Sequence, residues 1–222
     1  MLKKLDKLFE SETIKPSFSR AHAVLALYLF AEHPQGLGRY RLKSELNIGS
    51  GTARSLVNKL KKKLDFICVS GQRKGHILTD KGKEFLKTIK KKIPLIKSAD
   101  LKELRDVIVE YENESAYYCF VKDVGDKVDN GMEQRDAAIK IGGLGASCLV
   151  VNEGKLSFSL SYMTQSDKEK MKVSDKVQNY FQKKTNKNLE ENDVIIIGLA
   201  ESPEVARLSA YNAALTLLNE KD

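Results

Sequence analysis

Seven side chains between Thr52 and Lys62 have the chemistry best suited to a partner: Thr52, Arg54, Ser55, Asn58, Lys59, Lys61 and Lys62. They remain after an inward stripe is removed. Ala53, Leu56, Val57, Leu60 and Leu64 recur at spacings of three, one, three and four, the period of a helix buried along one side. The chemistry on offer is hydrogen bonding and charge. Asn can pair bidentately with adenine and Arg with guanine. Short hydroxyls near a helix start can reach base edges, while lysines farther along meet phosphates. Ser50 stands at the helix start as an N-cap. Arg39 and Arg41 lie upstream, and Arg73 and Lys74 lie downstream between Gly71 and Gly75. A lysine run alone is usually just a solvated face. The argument rests on the combination, with Thr52, Arg54, Ser55 and Asn58 reading bases and Arg39, Arg41, Lys59, Lys62, Arg73 and Lys74 holding phosphates.

Bond-making chemistry has no comparable candidate. Gly142-Gly143-Leu144-Gly145 is the richest glycine cluster, but it sits between a helix and a strand. A dinucleotide fingerprint needs strand, glycines, then helix, so a helix C-cap and tight turn is the plainer reading. All three histidines, His22, His33 and His76, lie in the first 98 residues, far from most carboxylates, and no Ser-His-Asp set forms. Cys68, Cys119 and Cys148 contain no CxxC, so neither a zinc site nor a disulfide framework is expected. Two places could take an anionic small molecule: Arg135-Asp136 with Gly143 and Gly145, and the turn at Ser202, where helix N–H groups favour negative charge. No cofactor, metal or catalytic residue is expected, and the chain is not read as an enzyme.

The elements that position these residues follow from periodicity and punctuation. Ser19 to Glu32 is apolar nearly all round, as in a buried helix. Arg39 to Leu46 is a second helix, Asn47-Ile48-Gly49 a turn, and the basic helix follows from Ser50. Phe66 to Ser70 and His76 to Thr79 read as short strands around the glycine-bounded basic turn. Thr79 then caps a helix with Phe85, Leu86, Ile89 and Ile93 on its apolar face, stopped by Pro94. Ser98 to Asp100 could cap an amphipathic helix carrying Leu101, Leu104, Val107, Ile108 and Tyr111. Beyond it come strand 116–121, helix 133–141, strands 147–151 and 155–161, helix 174–184, strand 193–199 and a final helix capped by Ser202. Val194 to Ile197 reads as a central strand buried on both faces.

Charge divides the chain as the elements do. Residues 1–98 hold 22 Lys and Arg against 8 Asp and Glu; residues 99–222 hold 16 against 22. The expected domains are therefore 1–97, facing a polyanion, and 98–222, which one would repel. No apolar run approaches the roughly 20 residues of a membrane span, and no signal-peptide core follows the N-terminus, so a cytoplasmic protein without membrane contact is expected.

The run Ile77-Leu78-Thr79-Asp80-Lys81-Gly82-Lys83-Glu84-Phe85-Leu86 resembles the wing strand and closing helix of winged helix-turn-helix transcription regulators. Residues Arg135 to Lys140, Gly142 to Ala146 and Val194 to Ala200 make the whole chain similar to archaeal two-domain proteins with an N-terminal winged helix and a C-terminal α/β domain of unknown function. That resemblance implies a transcriptional regulator and supplies no catalytic residues. The fold expectation is α+β, a winged helix-turn-helix followed by a small α/β sandwich whose β-α-β-β-α-β order fits a ferredoxin-like unit. The functional expectation is a homodimeric regulator binding double-stranded DNA, its second domain dimerising or sensing an anionic effector. The rivals are a metabolite-acting enzyme with a regulatory winged helix, and a docking module in a transcription or replication assembly.

Overall fold

The computed structural model describes residues 1–10, 15–71, 75–108, 114–158, 173–186 and 189–219. It divides into two compact units, Met1–Lys90 and Lys91–Asp222.

The first unit opens with a 3₁₀ turn, Leu2–Leu8, that sequence reading passed over. Leu2, Leu5 and Leu8 are all buried. Their three-residue spacing matches the three residues per turn of a 3₁₀ helix, which stacks side chains i and i+3. Helix α1 (Arg20–Glu32) follows, buried without interruption from Ala21 to Phe30. Its capping box has Ser19 at the N-cap, whose N–H donates to His22 Nδ1 at 3.0 Å. Then come α2 (Arg39–Glu45), a turn with Asn47 at φ 49°, and α3 (Ser50–Lys62). Gly49 takes the N-cap position and Ser50 is already helical, a one-residue shift from the expected start.

Strands β1 (Ile67–Val69) and β2 (His76–Leu78) pair antiparallel, and Leu37 makes an isolated antiparallel bridge to His76. Helix α4 (Asp80–Lys92) closes the unit, with Thr79 Oγ1 accepting from Gly82 N–H at 3.1 Å. The element order α1-α2-α3-β1-β2-α4 is the one read from the sequence. The glycine in the Thr79–Leu86 run has a physical reason: a Cβ on Gly82 would stand 2.1 Å from the Phe66 carbonyl oxygen. The bare backbone lets α4 close on the chain entering β1, where Phe85 stacks on Phe66 at 4.8 Å.

The second unit holds a five-stranded antiparallel sheet of β3 (Leu95–Ala99), β4 (Ser115–Val121), β5 (Gly145–Asn152), β6 (Lys155–Phe158) and β7 (Val194–Ala200). The spatial order is β3-β4-β7-β5-β6. Strand β3 was not expected. Ser98 and Ala99, read as helix caps, are paired in it with Tyr117 and Ala116. Only Asp100 caps, accepting from Lys102 N–H at 2.9 Å, and the helix is one 3₁₀ turn, Leu101–Glu103. The α+β layout and the β-α-β-β-α-β run stand, but the ferredoxin-like strand order does not. There the third strand of the run inserts between the first two; here the last, β7, does so, pairing with β4 and β5. The most continuously apolar strand takes the centre, where both faces are covered.

Helices α5 (Met132–Lys140) and α7 (Pro203–Thr216) pack side by side on one face of the sheet. On the other, Ile195, Ile197 and Leu199 of β7 join Tyr118, Leu149, Val177, Tyr180 and Phe181 in one core with α6 (Asp175–Lys184). Gln178 of α6 is buried and binds both backbone groups of Leu156, accepting from its N–H at 2.9 Å and donating to its carbonyl at 2.6 Å. That satisfies part of the edge of β6, which would otherwise leave buried donors and acceptors unpaired. Cys119 and Cys148 both register against Ile196. Burial pushes both thiols up, Cys148 to about 12, so they act as small hydrophobes.

Candidate nucleic-acid interface

Helix α3 presents three faces, and the structure assigns the expected contact residues among them differently from the sequence. The stripe Ala53, Leu56, Val57, Leu60 and Leu64 is buried as expected. One flank is occupied by the chain before α1. Thr52 Oγ1 shares a 2.7 Å hydrogen bond with Ser17 Oγ. Lys59 Nζ donates to the Leu8 carbonyl and Lys63 Nζ to the Glu10 carbonyl, each at 2.6 Å. Lys59, expected to hold phosphate, instead caps the end of the N-terminal 3₁₀ turn. Partial burial and the neighbouring Lys63 lower its pKa. Thr52, expected to read bases, spends its hydroxyl on Ser17. The spacing that put both outward was sound; what it could not see was a segment some forty residues away in sequence lying along that flank.

The third face is open. Ser50, Arg54, Asn58, Lys61 and Lys62 are exposed and Ser55 half-buried. Gly51 lies on the same face, and a Cβ there would meet nothing within 4 Å. Its absence therefore serves no packing within the chain and leaves the backbone of the first turn bare. The α3 N-cap has no side-chain hydrogen bond, and the first turn carries no acidic residue, so the positive end of the helix is not neutralised locally.

Arg39 and Arg41 are exposed at the start of α2, Arg41 lying 3.8 Å from Glu45 one turn on. Between them Tyr40 is 84% exposed, the most exposed large apolar side chain among the described residues. Sequence reading passed over it, although an aromatic between two arginines was the available signal. Arg73 and Lys74 lie outside the described residues. The hairpin nevertheless reports on the cations around it. Burial lowers the pKa of His76 in β2 first, followed by the charges of Lys61 and then Arg39. Lys61 of α3 and Arg39 of α2 thus both act on the same residue of the hairpin.

The small-molecule candidates are engaged in packing. Arg135 and Asp136 pair with each other at 3.0 Å on the exposed side of α5. Gly143 sits tightly between α5 and α7: a Cβ would stand 2.0 Å from Ser209 Oγ and 3.0 Å from the Ala138 carbonyl oxygen. Gly145 begins β5 at φ 156°, against the Arg135 side chain. Ser202 caps α7, accepting from Val205 N–H at 3.4 Å. Among the described residues no group of three His, Cys, Asp or Glu is placed to hold a metal ion. No helix among them is long and apolar enough to cross a membrane.

Comparison with known proteins divides the chain in the same way. Residues 21–84 match the family model for a PH0730-like N-terminal domain, and residues 111–217 match that of a domain of unknown function, DUF4443. No curated protein matches. Among solved structures, the hypothetical protein PH0730 from Pyrococcus horikoshii OT3 is similar at 27% identity, with a TM-score of 0.61, over 90% of this chain and 93% of that one. The chain is thus similar, across both units, to an archaeal protein along nearly its whole length.

Proposed function

We propose that the N-terminal unit is a winged helix-turn-helix that binds double-stranded DNA, and that the protein is a transcriptional regulator. One observation carries the reading: the open face of α3 and the start of α2 together expose Arg39, Arg41, Arg54, Lys61 and Lys62, and of these only Arg41 lies within ion-pair reach of an acidic side chain among the described residues. Residues 1–90 hold 19 Lys and Arg against 8 Asp and Glu. Arg39, Arg54, Lys61 and Lys62 have no ion-pair partner among the described residues. Crowded like charge weakens a folded domain through self-repulsion, so a polyanionic partner gives it a purpose. A 13-residue helix fits the major groove. On this reading Arg54, Asn58 and Ser55 face base edges; Arg39, Arg41, Lys61 and Lys62 face phosphates; and bare Gly51 lets the first turn approach the backbone. Tyr40, between the two arginines, packs against the sugar-phosphate edge.

The test is selection of bound duplexes from a random pool with the full-length chain, followed by anisotropy titration of the enriched sequence. An enriched motif whose affinity drops with Arg54→Ala, and whose base preference relaxes with Asn58→Ala, supports the reading. No duplex retained at about 50 mM salt, where the electrostatic contribution is large, would defeat it.

A further inference from the structure

Helix α5 has an outer face with a symmetry the fold does not use. Its inner side is fixed: Gln134, Ala137 and Ala138 are buried. Gln134 Nε2 donates to Thr216 Oγ1, and Asn212 Nδ2 donates to the Ala137 carbonyl, both at 2.7 Å. On the outer side Met132 is 50% exposed and Ile139 49%, and Leu144 just past the helix end is 45% exposed. These are three of the five most exposed large apolar residues described. Between Met132 and Ile139 lie Arg135 and Asp136, each about half exposed. At roughly 100° per residue, Met132, Arg135, Asp136 and Ile139 occupy an arc of roughly 100°.

The order of those four residues is palindromic in chemistry. Met132 stands three positions before Arg135, and Ile139 three positions after Asp136. A two-fold axis through the midpoint of Arg135 and Asp136 would lay α5 antiparallel on a second α5. It would set Met132 against the partner's Ile139, and Arg135 against the partner's Asp136. The two intrahelical pairs would then become one ring of four alternating charges between two apolar contacts. Self-complementarity of this kind is what a two-fold interface requires. An unrelated partner would have no reason to demand opposite charges at adjacent symmetric positions.

We propose that α5 is the contact helix of a homodimer, packed antiparallel on its counterpart about the Arg135–Asp136 midpoint. This holds whether or not the first unit binds DNA. A single helix face sits at the small end of stable interfaces, so the dimer is expected to dissociate in the micromolar range.

Light scattering and sedimentation of the full-length chain from about 1 to about 100 µM test the proposal. Wild type should pass from monomer to dimer, and Ile139→Glu should weaken association at least about tenfold. Arg135→Asp should do the same by setting like charges opposite one another, and adding Asp136→Arg should restore the dimer. Disulfide trapping fixes the register. With Cys68→Ser as background, Met132→Cys with Ile139→Cys in one chain should give a covalent dimer on oxidation, because the two sites lie roughly 10.5 Å apart along one helix, too far to bridge within it. A chain that stays monomeric throughout overturns the proposal. So does a dimer indifferent to Ile139→Glu, or one in which the charge-swapped double variant behaves like Arg135→Asp alone.

Discussion

Two lysines one helical turn apart, Lys59 and Lys62, separate the structure's account of α3 from the sequence's. Periodicity alone treats both as phosphate contacts. In the structure Lys59 is bound to the Leu8 carbonyl while Lys62 is exposed and unpaired among the described residues. For B-DNA, log K falls with log salt at a slope of about −0.9 per phosphate neutralised. Arg39, Arg41, Arg54, Lys61 and Lys62 are five exposed cations on the proposed surface, so the wild-type slope should be about −4.5, rising in magnitude toward about −6 if Arg73 and Lys74 also contribute. Between about 50 and about 200 mM salt that corresponds to a loss of roughly 500-fold or more in affinity. Lys62→Met should reduce the slope by about 0.9, weakening binding similarly on every sequence. Lys59→Met should leave the slope unchanged and instead lower the thermal stability of the chain, since it frees the Leu8 carbonyl from its partner. Anisotropy titrations at four salt concentrations, with melting curves of the free proteins, read both quantities. Equal slope changes in the two variants, or a wild-type slope near zero, would refute the reasoning.

Three further outcomes follow from the packing. His22 is buried and its pKa is lowered to about 4, chiefly by desolvation. The unfolded chain therefore binds its proton first, so a contribution of about 3 kcal/mol, whole above pH about 6.5, is lost as pH falls toward 4. Urea titrations across that range should show the fall, and His22→Gln, which can still serve the capping box, should flatten it. Gly143→Ala should open the α5–α7 seam at a cost of at least about 1–3 kcal/mol, read as a lower unfolding midpoint, while Gly51→Ala should leave the free protein as stable or stabilise it by about 0.5–1 kcal/mol. Gln178→Ala should cost about 1–3 kcal/mol for each Leu156 backbone group left unpaired, detectable by faster amide exchange along β6.

What the sequence revealed and what it hid divide along a physical line. Elements that bury a face within their own length were readable. The α3 stripe, the Thr79 cap, the Ser202–Pro203 helix start and the fully buried Val194–Ile197 run all lie where periodicity put them. Strand β3 was not readable. Leu95 to Ala99 is at most half-buried and owes its conformation to pairing with β4, some twenty residues on. The strand order failed for a related reason. Element order does not say which strand enters the gap left by the β4–α5–β5 crossover, and β7, the strand of this sheet buried at every residue, takes it.

The proposed site shows the same limit from the other side. Every outward residue on α3 was found by subtraction of the core stripe, and subtraction treats the remainder as one surface. The N-terminal segment divides that remainder, taking Thr52, Lys59 and Lys63 and leaving Ser50, Gly51, Arg54, Asn58, Lys61 and Lys62. The face left is narrower than the composition implied, and its Lys61 acts on His76 together with Arg39 of α2. A surface chosen only for solubility would have no need to keep Gly51 bare and Tyr40 exposed together with Arg39, Arg54, Lys61 and Lys62, none of which has an ion-pair partner among the described residues. Glycine in a helix carries a propensity cost of about 1 kcal/mol, and here no packing contact offsets it. That cost, borne in the first turn of the open face, is the strongest argument that something outside the chain approaches α3 there.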